Sequence, residues 1–328
     1  MTVIDFHNHF YPPEYLEALR TGGSNFETTF DSEGNPLLHY PGDYNIIVRG
    51  HRDIGFRKTV LAGAGIDKQV LTFTSPGTQI EAPDRAIELA SLVNDALAGI
   101  QQEHGERFTV LGTLPMNASQ AAVGELERAV TDLGMKGFML FSNVNGVSLT
   151  DRRYWPLYEV AEELETVFYI HPIYPVGVQT MTEYWLMPLV GFAFDTTLAA
   201  AKLVFSGTVE RFPGIRWVLA HLGGAIPYLA ERLDRGYHAF QECRKNISRP
   251  PSEYLKEFFY DTVNFDPGAL RLAIDFAGAH HLLAGSDYPH QIGSLPRMLE
   301  SIDCLGLDRE AKESILGGNA ARLLNIPS

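Results

Sequence analysis

Eight short apolar segments recur along the chain, each of a length that suits a buried parallel strand: Val3 to Phe6, Gln69 to Phe73, Phe108 to Leu114, Gly137 to Phe141, Val167 to Ile170, Trp217 to Ala220, Phe258 to Thr262 and His281 to Ala284. Most of the gaps between them carry helical periodicity, clearest in Ala82 to Gln102, Ala118 to Leu133, Tyr154 to Leu164 and Pro267 to Phe276. Strand and helix in alternation predict right-handed βαβ units and a parallel sheet. Eight such units suggest closure into a (β/α)8 TIM barrel, an α/β fold whose active site lies at the carboxyl ends of the strands. A doubly wound open sheet satisfies the same periodicity, and the placement of the motifs below favours the barrel. The 328 residues, 45% of them hydrophobic, supply one large core, so residues 1–328 are expected to form a single domain.

Two stretches break the repeat. Tyr11 to Arg52 is rich in Gly, Pro, Asn and Asp with weak periodicity, and residues 11–52 read as a long loop or small insertion after the first strand, lying over the active-site face. Gly177 to Phe194, with Trp185, Met187 and Pro188, precedes an expected Asp195 to Val209 helix and is placed to wall a pocket. Its apolar core, Trp185 to Phe194, is interrupted by Pro188 and is about half the ~20 residues a membrane span needs.

Charge narrows the partners. A formal net charge of -14 repels phosphate backbones and anionic membrane surfaces, so neither nucleic acid nor membrane is an expected partner. An anionic substrate then requires a local arginine cluster. The opening residues carry neither the basic start nor the apolar run of a secretory signal, which predicts cytoplasmic residence. Cys243 and Cys304 are far apart and lack Cys-x-x-Cys spacing, so any metal must use nitrogen and oxygen ligands.

The strongest local signal is Asp5-Phe6-His7-Asn8-His9 at the carboxyl end of the first apolar segment. Residues two apart on a strand share a face, which aims both imidazoles at one point, and imidazole pairs suit zinc and similar divalent ions. On the same reasoning Asp5 shares that face, deeper in the barrel, as a structural partner. His171 ends the fifth segment, His221 the sixth, before Gly223 and Gly224, and Asp287 the eighth. Taken singly, His171 reads as a satisfied histidine at a strand end and Asp287 as a helix cap. Four histidines and an aspartate at four strand ends together point to a metal centre.

The His-x-His, the His171-Pro172 pair, His221 with its glycines and Gly285-Ser286-Asp287-Tyr288-Pro289 resemble amidohydrolase family 2, within it the aminocarboxymuconate semialdehyde decarboxylase group. Pro250 to Tyr254 and Phe265 to Leu270 are similar to that group's carboxyl-terminal third. The resemblance implies one metal ion held by His7, His9, His171 and Asp287, with His221 nearby as acid and base. Zinc suits this donor set best, with manganese as an alternative. Binuclear relatives carry a carbamylated lysine at the end of strand four, whereas Phe138 to Asn143 has no lysine and Lys136 lies at the other end.

The resemblance further implies a non-oxidative decarboxylase of a small aromatic or muconate-like acid, with no organic cofactor, in which His221 handles the proton and Asp287 can share the task. Arg232 is expected to bind substrate carboxylate in a neighbouring subunit's site, which implies a homodimer. Arg49, or Arg52 in its place, is expected to supply the second carboxylate contact from the insertion. Tyr174 and Trp185 are candidates for stacking on the substrate. His290 stands where many family members have Phe, and is either a pocket residue or a helix start. Metal-dependent hydrolysis of a lactone, ester or amide is the rival reaction, and hydration of a double bond a third.

Overall fold

The computed structural model describes residues 2–22, 24–40, 43–175 and 177–327, so Gly23, Pro41 and Gly42 of the expected loop lie outside the described residues. Eight parallel strands alternate with helices: β1 Ile4–Asp5, β2 Lys68–Thr72, β3 Phe108–Leu111, β4 Gly137–Phe141, β5 Val167–His171, β6 Arg216–Leu219, β7 Phe259–Asp261 and β8 Leu282–Leu283. Their ladders form a three-stranded sheet, β1-β2-β3, and a five-stranded sheet, β8-β7-β6-β5-β4. Single bridges cross both seams. At one, the Gly112 amide donates to Gly137 (2.9 Å) and the Met139 amide to Gly112 (3.0 Å); at the other, the Phe6 amide donates to Ala284 (2.7 Å) and Asn8 pairs with Tyr288. The strands therefore follow one another in sequence order, the arrangement of a (β/α)8 fold.

Alternation along each strand sorts its side chains. Ile4, Phe6, Val70, Met139, Val167, Tyr169, Val218 and Leu283 fill the interior, closed below by Ala320, Leu323 and Leu324 of the carboxyl-terminal helix. Leu71, Val110, Phe138, Phe168, Trp217 and Leu282 face the surrounding helices. Strands buried on both faces read as mainly apolar runs, which is why all eight were visible in the sequence. One inference from alternation fails. Ile4 and Phe6 point inward, so Asp5 between them points outward, to Gln69 Nε2 (2.7 Å) and Ser286 Oγ (2.6 Å). A bend at His7 then resets the phase, and Asp5 does not share a face with the two histidines.

The stretch over the strand ends is more ordered than its composition implied. It holds a helix, Pro13–Thr21, and a three-stranded antiparallel sheet of Glu27–Phe30, Pro36–Tyr40 and Asp43–Ile46. The sheet is too short and too exposed on Glu27–Phe30 for its alternation to register as a strand pattern.

The apolar stretch after β5 also differs from expectation. Met187–Phe205 is one continuous helical run of 19 residues, long and apolar enough by composition to cross a membrane. Pro188 does not break it, because it falls in the first turn, where no amide hydrogen bond is lost. Asp195, Thr196, Ala200, Leu203 and Val204 are buried, so one face of the helix packs into the fold while Phe194 and Leu198 stay exposed. Asp195 pins it: its carboxylate accepts hydrogen bonds from the Ser142 hydroxyl and, at 3.5 Å, the Ile173 amide. The loop after β6 packs on the same helix, and a Cβ on Gly224 (φ +61) would lie 2.0 Å from the Ala193 carbonyl.

Burial raises the Asp195 carboxyl to about 6, against the lowering by its Ser142 hydrogen bond. A folded-state value raised above the unfolded one gives stability that is present below pH ~4 and lost as pH rises through ~6. Asp195→Asn keeps the Ser142 contact and cannot ionise. Its melting temperature relative to wild type should therefore climb between pH 4 and pH 7, by the equivalent of about 2 kcal/mol; a flat difference across that range would show that the ionised carboxylate is tolerated.

Candidate metal centre

His7 and His9 follow β1, His171 ends β5, His221 follows β6 and Asp287 follows β8, so the fold brings five polar side chains to one end of the barrel. His7 Nε2 lies 3.1 Å from His9 Nε2 and 3.4 Å from Asp287 Oδ1, and His9 Nε2 lies 3.0 Å from the same oxygen. The His171 ring centroid is 4.9 Å from that of His9 and 5.4 Å from that of His7. His221 stands 5.0 Å from His7 and 5.3 Å from His171. Donor atoms of His7, His9 and Asp287, and of His7, His171 and His221, form two overlapping triads within 4.8 Å. The four histidines and Asp287 are thus brought together, with His7 at the centre.

These donors fit a divalent ion. Two nitrogens each ~2.0–2.1 Å from one tetrahedral ion stand ~3.3 Å apart, close to the His7–His9 separation. The tautomers fit as well. His7 Nδ1 donates to Asp261 Oδ2 (2.6 Å) and His171 Nδ1 to the Pro172 carbonyl (2.8 Å), which leaves each Nε2 lone pair for the centre. The backbone is turned to match, since His221 (φ 53) and Asp287 (φ 58) both adopt the left-handed conformation that non-glycine residues rarely hold.

Asp261, the last residue of β7, escaped the sequence reading. Its buried carboxylate accepts from His7, from Tyr169 Oη (2.9 Å) and from the amides of His221 (3.0 Å), Leu222 (3.1 Å) and Val263 (2.9 Å). One carboxylate therefore orients a histidine of the centre and the backbone of its neighbour. An acid closing an apolar strand was its only signal. Arg57, fully buried, is the second omission: it donates to Asn8 Oδ1 (2.7 Å), Gln69 Oε1 (3.0 Å), the Gly50 carbonyl (3.0 Å) and the His9 carbonyl. Burial lowers it to about 10, so it stays charged at neutral pH.

Electrostatics separate the imidazoles. Burial opposes a charge on His7, but Asp261 and Asp287 outweigh it and lift the ring to about 10. Burial and the neighbouring rings drive His9 and His171 well below their ordinary value, and burial with the His7 charge lowers His221 to about 4. Asp287, despite burial, is held well below its ordinary value by hydrogen bonds from His7 and His9. The cluster thus balances one favoured cation against two carboxylates, the arrangement a divalent ion would take over.

A cavity of about 290 Å³ opens over this cluster. His171, His221, Asp287, His290, His51 and Trp185 line it, with Tyr44, Asn45 and Phe192. His290 is a pocket residue and not a helix start, because the next helix begins at Leu295 behind the Ser294 cap. The arginines expected from the insertion do not face the cavity. Arg49 turns out to Asp53 Oδ2 (2.8 Å), and Arg52 to Asn35 Oδ1 (3.4 Å) and the Ile47 carbonyl (3.3 Å). Residues Arg49–Arg52 make a single helical turn, so the residue presented inward is His51, which the sequence reading passed over. Tyr174 sits behind the wall with Ile173, Met187 and Phe192, outside the main cavity. Arg232 is exposed on the helix Ile226–Ala239 and does not line the cavity of its own chain.

A parallel (β/α)8 arrangement carrying a histidine and aspartate cluster at its strand ends defines a metal-site barrel enzyme. The chain belongs to the amidohydrolase family, whose model matches residues 4–326. It is 35% identical over 247 residues, 74% of this chain and 68% of the relative, to the 2-amino-3-carboxymuconate-6-semialdehyde decarboxylase of Dictyostelium discoideum. Among solved structures, it is similar to the 5-carboxyvanillate decarboxylase of Sphingomonas paucimobilis (25% identity, TM-score 0.87, 99% of each chain). It is also similar to the dihydroxybenzoic acid decarboxylase of Polaromonas sp. JS666, which has bound manganese and the inhibitor 2-nitroresorcinol (25% identity, TM-score 0.83, 99% of this chain and 97% of that one).

If Asp261 orients His7, Asp261→Asn should weaken the binding of added zinc or manganese by ~10–100-fold, as loss of such a partner commonly does. Equilibrium dialysis of the metal-free protein measures this, and unchanged affinity would remove Asp261 from the centre.

Proposed function

We propose that the chain is a non-oxidative decarboxylase of a small aromatic carboxylic acid, working with one divalent ion held by His7, His9, His171 and Asp287. The observation that carries this reading is the clustering of those side chains, with His221 beside them, below a cavity of about 290 Å³ that His171, His221 and Asp287 line and that is small enough to suit a one-ring acid. The named relatives, all decarboxylases, support the reaction. Three nitrogens and one oxygen suit zinc; the manganese of the Polaromonas enzyme makes that ion the alternative. When bound, the ion supplies positive charge that holds and polarises an anionic substrate.

In this reading the bond between ring carbon and carboxyl carbon breaks, carbon dioxide leaves, and the bonding pair stays on the ring carbon. That carbon takes a proton from His221. The His221 Nδ1 is buried without a hydrogen-bond partner among the described residues, and the Asp261 carboxylate fixes the residue through its backbone amide. The ring is placed to act as a proton carrier: it takes up a proton from solvent and passes it to the ring carbon, so the proton that the reaction consumes comes from water. Phe192, Pro188 and Ile292 line the cavity and exclude water from the charged intermediate.

The whole chain, 1–328, is proposed to act as one domain in a homodimer. Phe194 and Leu198 on the helix Phe192–Phe205 and Tyr228 on the helix Ile226–Ala239, which also carries Arg232, are exposed and give a second copy an apolar face to cover. Arg232 would then serve the other copy's cavity.

The deciding experiment incubates the zinc- or manganese-loaded protein with hydroxybenzoates, muconate semialdehydes and lactones. Carbon dioxide release is expected from at least one hydroxybenzoate, whereas acid release from lactones alone would overturn the reaction. His221→Asn should keep one equivalent of metal and lose at least ~100-fold in kcat, the usual worth of a general acid; full activity in that variant would remove His221 from proton transfer.

A further inference from the structure

The proposed chemistry gives no role to His51, a polar side chain of the cavity. His51 is 1% exposed and lines the cavity, yet neither of its ring nitrogens has a hydrogen-bond partner among the described residues. A buried polar group left unmatched costs ~1–3 kcal/mol, and a ring with two such atoms is a site whose partner arrives with the ligand. The residue is held in place. Its amide donates to the Val48 carbonyl (2.9 Å), its carbonyl accepts from the Tyr11 amide (2.7 Å), and buried Arg57 grips the preceding carbonyl, that of Gly50 (3.0 Å). Tyr11 packs edge-on against the ring at 5.5 Å.

Position and charge say what the partner is. The His290 ring stands 4.6 Å from His9 and 5.0 Å from His51, so one aromatic ring separates the metal cluster from His51. A benzoate with its carboxylate at the cluster would bring a ring substituent to His51. Among the described residues no lysine or arginine lines the cavity, and the guanidiniums of Arg49, Arg52 and Arg57 are turned to Asp53, Asn35 and Gln69. Burial, with the neighbouring His290 and Arg57, keeps the His51 ring neutral. A neutral imidazole has one donor and one acceptor, the same pair a hydroxyl offers, whereas a second carboxylate could use only the donor.

We infer that His51 is a specificity-determining residue that hydrogen-bonds an uncharged ring hydroxyl of the substrate, on the side of the cavity where His290 stands. This selects hydroxyarene carboxylic acids over unsubstituted ones and over acids with a second anionic group. The inference rests on the decarboxylase reading for the placement of the carboxylate, and its test is independent of turnover.

Calorimetry of the metal-loaded protein with 2-, 3- and 4-nitrophenol and with nitrobenzene, at a pH low enough to keep every phenol protonated, reads the hydroxyl directly. Wild type should bind at least one nitrophenol ~10-fold tighter than nitrobenzene, the worth of one hydrogen bond. His51→Phe should narrow that ratio to within ~2-fold with nitrobenzene affinity and metal content unchanged, while His51→Gln, which retains a donor and an acceptor, should restore much of it. An unchanged ratio in His51→Phe, or no preference in wild type, overturns the assignment. If the ratio responds as expected while no hydroxybenzoate releases carbon dioxide, the reaction is wrong and the role of His51 stands. If carbon dioxide is released and the ratio does not respond, His51 falls and the reaction stands.

Discussion

The hydrogen bond from His7 to Asp261 is the contact on which the candidate centre depends. It joins the first strand to the seventh through two side chains that are both fully buried, and it settles which His7 nitrogen faces the other histidines. The same carboxylate gathers the amides of His221 and Leu222, holding the turn after β6 in a left-handed conformation. Burying an aspartate is costly unless its lone pairs are filled, and here five donors fill them. The result is a carboxylate held below its ordinary value and a histidine held above its own, so charge is stored where a cation would sit.

A second buried charge connects the centre to the segment above it. Arg57 reaches the carbonyls of His9 and Gly50 and, through Gln69, the Asp5 carboxylate, which in turn binds Ser286 beside Asp287. The chain Arg57, Gln69, Asp5, Ser286 runs behind the histidines on the outward side of β1. It ties three separate pieces to one another: the end of β1, the end of β8 and the helical turn that presents His51. The floor of the cavity and its polar wall are therefore parts of one hydrogen-bonded frame, and a loss at either Arg57 or Asp5 would be felt at both.

The fold was legible because parallel strands buried on both faces are mainly apolar, and the eight segments keep that character even where Asp5, Gln69 and Asp261 interrupt it. The histidines and Asp287 were legible because they stand at strand ends, where a barrel concentrates its chemistry. Asp261 stands at such an end too, but one carboxylate after Phe258-Phe259-Tyr260 does not announce that five donors will converge on it. Arg49 and Arg52 stand out in the sequence because a guanidinium matches a carboxylate, and His51 between them does not. The single helical turn they share points His51 inward and both arginines out, a matter of a 100° rotation per residue that a loop of uncertain conformation hides.

Sequence by itself determined the strand and helix alternation, the four strand ends that bear imidazole and carboxylate, and the nitrogen and oxygen character of any metal ligand, because these depend on local periodicity and on which side chains exist. Tertiary structure alone decided that Asp5 turns away from the site while Asp261 turns into it, that Met187–Phe205 is a continuous helical run with one face packed into the fold, and that the cavity is walled by imidazole and aromatic groups where arginine was expected. The reason is geometric. A bend at His7 and one helical turn at residue 49 change the direction of side chains, and direction is set by contacts between residues hundreds of positions apart, such as the 254 that separate His7 from Asp261.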